Sequence, residues 1–125
     1  MHYLLTYHYS ADYLQRRGEF RNGHLAGAWA AQGRGELVLG GTTGNPPDSA
    51  VFMFDCADPS VIEAFVQADP YVQNGLVLRH TIVPWTTVVG DAVWPWVRLS
   101  IGISARLCAK PLIVPIRASM VGKIT

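Results

Sequence analysis

Apolar and polar positions along the chain fall into four strand-like stretches and two helical ones. Residues 3–9 read Tyr-Leu-Leu-Thr-Tyr-His-Tyr, an aromatic and β-prone run that predicts a first strand. Ser10 is a plausible N-cap, with Asp12 in the first turn, where a helix dipole favours an acid. A helix is predicted over residues 11–32. Leu14, Arg21, Leu25, Ala28 and Gln32 share one side at helical spacing, a modest stripe. Gly18 and Gly23 weaken it by roughly 1 kcal/mol each relative to alanine, and Gly33-Arg34-Gly35 ends it. Residues 36–40 and 50–56 predict a second and a third strand. Between them, residues 42–49 (Thr-Thr-Gly-Asn-Pro-Pro-Asp-Ser) read as a loop, either a lid or a simple hairpin connection.

Asp58-Pro59 marks the start of a second helix, an acid before a proline at the first helical position. Val61, Ile62, Phe65 and Val66 form its apolar stripe. Asp69 stands where this helix must stop, because Pro70 disfavours the helical conformation at the residue before it. Tyr71 and Val72 begin a short turn, and Asn74-Gly75 supplies residues that tolerate positive φ. Residues 76–85 predict a fourth strand, with Pro84 blunting pairing at its end. The order βαββαβ predicts an α+β, ferredoxin-like fold: a four-stranded antiparallel sheet with two helices on one face. Leu5, Val51, Met53 and Ile82 are too apolar to leave both faces of the sheet wet. A homodimer packed sheet to sheet is the simple way to cover the second face.

Composition sharpens the outline. Half of the 125 residues are apolar, enough for a core. The net charge of +1 conceals an asymmetry: residues 1–91 hold five basic and all nine acidic residues, and residues 92–125 hold five basic residues and no acid. That shift predicts a boundary near Asp91, with domain 1–91 followed by an atypical basic, apolar extension over 92–125. The extension contains two apolar segments, 93–107 and 112–116, broken by Pro95, Pro111 and Pro115, and reads as an arm across a partner subunit or as a sequence artefact such as a frame-shifted end. Its basic residues lack the aromatic interleaving of a nucleic-acid surface, so no nucleic acid is expected. Cys56 and Cys108 fit no zinc or CxxC spacing and read as buried free thiols. The N-terminus lacks the features of a signal peptide, and no window reaches about 18 uninterrupted apolar residues. A cytoplasmic protein without a membrane span is therefore expected.

The residues with chemical potential gather around His24. Arg17, Phe20, Arg21 and Ala28 lie on its side of the first helix. A histidine exchanges protons near neutral pH, and an aspartate on one ring nitrogen would fix its tautomer and raise its basicity. Asp69 is the candidate partner, provided that the second helix ends near the middle of the first. The competing reading is a structural His–Asp bond that ties the two helices together. Arg21 and Arg17 are candidates for holding a carboxylate or phenolate. Arg21 serves equally as part of a solvated helix face, and Arg17 reads more readily as one, with Glu63 or Asp12 as casual partners. Tyr71 either lines the cleft or plugs the turn. His2, His8, His24 and His80 make no HxH or HExxH pair, so no metal is expected, with His8 a lesser candidate near the cleft. Gly40-Gly41 lacks the context of a dinucleotide site, and Ser10 and Ser49 lack a nucleophile signature. No cofactor is predicted.

Arg17, Arg21, His24 and Leu25, then Gly40, then Asp69-Pro70-Tyr71 with Gly75, resemble the pattern of the YciI-like (YCII-related domain) family. In that family Arg-x3-Arg-x2-His-Leu is followed by a glycine after strand two and by Asp-Pro-Tyr/Phe-x3-Gly. The resemblance covers roughly residues 1–91 and implies a dimeric α+β barrel, similar to proteins of the muconolactone-isomerase type. It implies His24 and Asp69 as a catalytic pair, in a family that includes a dechlorinating enzyme of aromatic breakdown. The expectation is a cofactor-independent isomerase, lyase or dehalogenase acting on a small anionic or cyclic substrate. The alternative is a non-catalytic ligand-binding or accessory dimer. The extension beyond residue 91 departs from the family, whose members end soon after the fourth strand.

Overall fold

The computed structural model describes residues 1–93. The chain divides into two units between Thr87 and Val88. The first contains β1 (His2–Tyr9), α1 (Tyr13–Gly33), β2 (Leu37–Thr43), β3 (Ser49–Asp55), α2 (Ser60–Ala68), α3 (Pro70–Gln73) and β4 (Val77–Pro84). Of the second, the described part is a turn in which the Val93 N–H donates to the Gly90 carbonyl. The two apolar segments expected in the extension lie outside the described residues, but for Val93. Among the described residues no helix is long and apolar enough to cross a membrane.

The strands pair in the order β2-β3-β1-β4, all neighbours antiparallel. This is the ferredoxin-like α+β arrangement that the βαββαβ order predicts. Alternation along each strand separates two faces. Tyr3, Leu5, Tyr7 and Tyr9 of β1 and Ala50, Phe52 and Phe54 of β3 are buried against the helices. Ile62 and Val66 of α2 and Leu76 before β4 close that core with no exposed surface. Burying a side chain of this size stabilises by about 1.5–3 kcal/mol. The register lines up Val83, Leu4, Met53 and Leu39 across all four strands on the other face. Leu39 there remains 71% exposed. Of the four apolar residues that suggested a second covered face, Val51 and Met53 belong to it, whereas Leu5 and Ile82 point to the helices, by alternation with Leu4 and Val83.

Three local features differ from the sequence-based expectation. Helix α1 begins at Tyr13, with Asp12 rather than Ser10 at its cap; the Ser10 hydroxyl bonds the Asp12 carboxylate instead. Its buried residues are Tyr13, His24 and Ala31, while Leu14 is exposed. The expected stripe is therefore offset from the core, and Arg21, Leu25, Ala28 and Gln32 line a cleft instead. Strand β2 runs past the expected residue 40 to Thr43 and β3 starts at Ser49, so the loop shortens to residues 44–48, a hairpin connection, which was one of the two readings of that stretch. None of those five residues lines the cleft.

Candidate functional site

The end of α2 builds the site. Ala68 is its last residue, and Asp69 turns extended (φ −75°, ψ 120°) before Pro70 starts the four-residue helix α3. Pro70 needs no N–H at that position, and Asp69 caps the new helix by accepting from the Tyr71 N–H at 2.9 Å. Gly75, at φ 76°, ends the segment and returns the chain to β4. The expected short turn is thus a brief capped helix, and the cap carboxylate is the functional candidate itself.

Helix α1 meets this cap at His24. A Cβ on Gly23 would stand 3.1 Å from Pro70 Cγ, so the glycine at this position lets α3 approach α1. The next residue, His24, places Nδ1 2.9 Å from both Asp69 oxygens. The two residues are 45 apart in sequence and are 7% and 4% exposed. The Tyr7 hydroxyl donates to Asp69 Oδ2 at 2.9 Å from the sheet side. With Tyr7 and the Tyr71 N–H both donating to it, Asp69 acts as an acceptor carboxylate. The shared proton therefore sits on His24 Nδ1, which leaves Nε2 as the basic nitrogen. Among the described residues nothing hydrogen-bonds Nε2.

The His24 ring lines a cleft of about 410 Å³ between α1 and the β2–β3 edge. Tyr71 stacks on it at 4.0 Å and 10°, and Phe52 meets it edge-on at 6.2 Å. Tyr9 and Tyr13, stacked at 3.7 Å, continue the aromatic wall. Burial, followed by the neighbouring Tyr13 phenol, pushes the Tyr71 phenol up to about 12, partly offset by Arg21 and Arg17. Burial and Tyr13 raise the Tyr9 phenol as well. Arg17 and Arg21 both line the cleft, and Arg17 lies 5.7 Å over the Tyr13 ring. The acids considered as their casual partners are engaged elsewhere, Asp12 with Arg16 at 3.6 Å and Glu63 with His80 at 3.5 Å. Among the described residues the cleft lining contains no aspartate or glutamate. Two guanidinium groups and a histidine without a facing acid favour an anion.

His24, Arg17, Arg21 and Tyr71 thus share one cleft. Asp69 stands behind the His24 ring and lines a second cavity, of about 390 Å³, between the helices. His24 lines that second cavity as well, so it is only toward the first cleft that Asp69 acts through His24. His8 does not line the cleft: it pairs with Ser49 and Arg79 on the opposite sheet face. No cluster of three or more metal-ligating side chains occurs among the described residues. The sequence reading missed Tyr7, although strict alternation from Tyr3 and Leu5 puts it on the helix side.

Residues 1–86 match the YCII-related domain. The chain belongs to that family. Among solved structures, one similar fold is a 5-chloro-2-hydroxyhydroquinone dehydrochlorinase from Burkholderia phenoliruptrix AC1100, in complex with 2,5-dihydroxybenzoquinone. It has a TM-score of 0.60 at 19% identity and covers 69% of this chain and 94% of that one. Others are a protein from Agrobacterium tumefaciens (TM-score 0.42, 16% identity, 67% and 92% covered) and an uncharacterised NIPSNAP domain protein from Burkholderia xenovorans (0.41, 17%, 72% and 98%). No curated protein matches the chain. The likeness to the first of these is one of fold, the ferredoxin-like α+β arrangement.

Proposed function

We propose that this YCII-domain chain is a small-molecule enzyme in which His24 is the general acid/base for a small anionic or cyclic substrate. One observation carries the reading: His24 gives Nδ1 to a buried carboxylate and keeps Nε2 free, on a ring that lines a cleft with two arginines and no acid. Asp69 orients the ring. Arg21, with Arg17 beside it, holds an anionic oxygen, and Tyr71 forms the wall on which a flat substrate rests. A base that takes a proton and returns it at another atom, or expels a leaving group, performs isomerisation or elimination without a cofactor. Such a group contributes about 100- to 10,000-fold. The likeness in fold to a dehydrochlorinase supports dehalogenation as a member of that class. The reading also has the chain working as a homodimer, sheet against sheet, in the cytoplasm.

A second reading has the pair as a structural tie and the cleft as a binding site only. It is favoured by the depth of Asp69, which receives bonds from β1, α1 and α3 at once. The test is turnover of a panel of chlorinated hydroxyhydroquinones and unsaturated lactones, read as chloride release and as deuterium uptake from D2O. Loss of at least about 100-fold in a folded His24→Asn protein is the expected result. Unchanged turnover in that variant would refute the catalytic role. Binding of the panel without any turnover would leave the second reading in place.

A further inference from the structure

Tyr7 sits in the middle of β1, on the helix-facing side, with no exposed surface. Its ring packs edge-on against Phe52 at 5.0 Å and Tyr9 at 6.3 Å. A phenylalanine would fill that space equally well, so the hydroxyl is the group that calls for a reason. It donates to Asp69 Oδ2 at 2.9 Å. Burial above all, then the Asp69 charge and hydrogen bond, raises the Tyr7 phenol far above its ordinary range. Tyr7 therefore remains a donor throughout the physiological pH range. Among the described residues it is the one side chain besides His24 that bonds Asp69.

The consequence follows from charge. The His24–Asp69 pair carries −1 when the imidazole is neutral and zero when it is protonated. A hydrogen bond into the carboxylate is stronger while the pair is anionic, so it favours the proton-free state. By donating to Oδ2, Tyr7 takes up part of the carboxylate's charge on the side away from the imidazole. The other groups around the pair are Arg17 and Arg21 on the cleft side of α1, Tyr71 stacked on the imidazole, and Tyr9 and Tyr13 behind it. Arg34 and Glu36, at the second cavity, neutralise one another at 3.1 Å.

We propose that Tyr7 is a positioning residue: its hydroxyl fixes the Asp69 carboxylate, shares its charge, and so sets how strongly Asp69 holds the His24 proton. The inference rests on the acid/base reading of His24, yet its first test needs no turnover. The experiment is an NMR titration of the His24 ring nitrogens in the full chain and in Tyr7→Phe. The expected result is a rise of about one unit in the apparent pKa of the pair, with the Nδ1–H tautomer retained. If a substrate is turned over, the acidic limb of its kcat/KM profile moves up equally. A purely structural tyrosine would lower the thermal midpoint alone, and an unchanged or lowered titration in a folded Tyr7→Phe protein would overturn the proposal. Should that variant not fold, the unaltered chain decides. A slowly exchanging Tyr7 hydroxyl proton supports the bond to Asp69, and a rapidly exchanging one refutes it. Absence of turnover with the titration shift present would remove the enzymatic reading and leave the role of Tyr7 standing.

Discussion

Gly40 lies directly under the ring of Phe52: a Cβ on Gly40 would stand 2.9 Å from Phe52 Cδ1. The two residues are cross-strand partners on β2 and β3, and both line the cleft. Phe52 is 4% exposed and meets the His24 ring edge-on, so it has little freedom to move away. The glycine is therefore a steric requirement of the cleft floor.

Gly40→Ala is accordingly expected to push the Phe52 ring toward His24. The cost of such overpacking is about 1–3 kcal/mol, read as a lower urea midpoint at unchanged m. Binding in the cleft should weaken in parallel. A variant as stable as the parent, with the same His24 ring shifts, would show that the sheet edge accommodates the methyl group.

All five tyrosines of the chain are buried, and three phenols are shifted upward: Tyr71 to about 12, Tyr7 and Tyr9 beyond. Each is therefore more readily ionised in the unfolded chain, where the ordinary value is about 10. Folding stability from these groups is fully present below pH 10 and is lost as pH rises above it, because the folded state then binds more protons. Each group adds a slope of about 1.4 kcal/mol per pH unit in that window. Urea midpoints should hold level from pH 8 to 9.5 and fall steeply from 10.5 to 11.5. Tyrosinate absorbance should rise late, together with unfolding. Tyr7, Tyr9 and Tyr71 titrating near 10 in a folded chain would contradict the buried cluster.

The meeting of His24 and Asp69 was legible because two local rules converge on it. Pro70 forces α2 to stop at a residue whose side chain then faces sideways, and a histidine at mid-helix with arginines three and seven residues before it marks a polar face. The buried face of α1 was not legible for the same reason that makes it a candidate site. Hydropathy ranks Leu14 above His24, yet His24 is buried because a carboxylate 45 residues away receives it. Helical periodicity carries no information about such a partner. The role of Gly23 was likewise hidden, since a glycine in a helix registers only as a local cost until Pro70 is seen against it.

Arg21 and Arg17 make a testable claim about ligand charge. Arg21 is exposed at the cleft mouth, so its bond to an anionic oxygen competes with water and is discounted accordingly. Arg21→Ala is expected to weaken binding of a small carboxylate or phenolate by about tenfold, and Arg21→Lys by less, since the ammonium keeps charge but loses the paired geometry. Isothermal titration at two salt concentrations reads both effects, because screening should diminish the difference. Undiminished affinity of Arg21→Ala for the anion, or a parent chain that binds the anion and its neutral ester equally, would count against an anion site.

Pairing of two copies can be tested at Met53. It stands at the centre of the row Val83, Leu4, Met53 and Leu39, on the sheet face opposite the helices. If a second copy covers that face, an aspartate at residue 53 would be buried there without a partner, and desolvating an unpaired carboxylate costs far more than the lost thioether contacts. Because the residue is on the opposite face from His24, the fold and the His24–Asp69 pair should survive the change. Light scattering after gel filtration is expected to give twice 13.7 kDa for the parent chain and 13.7 kDa for Met53→Asp, with the His24 ring titration unchanged. A parent chain that runs as a monomer at micromolar concentration, or a Met53→Asp protein that stays paired, would rule out association through this face.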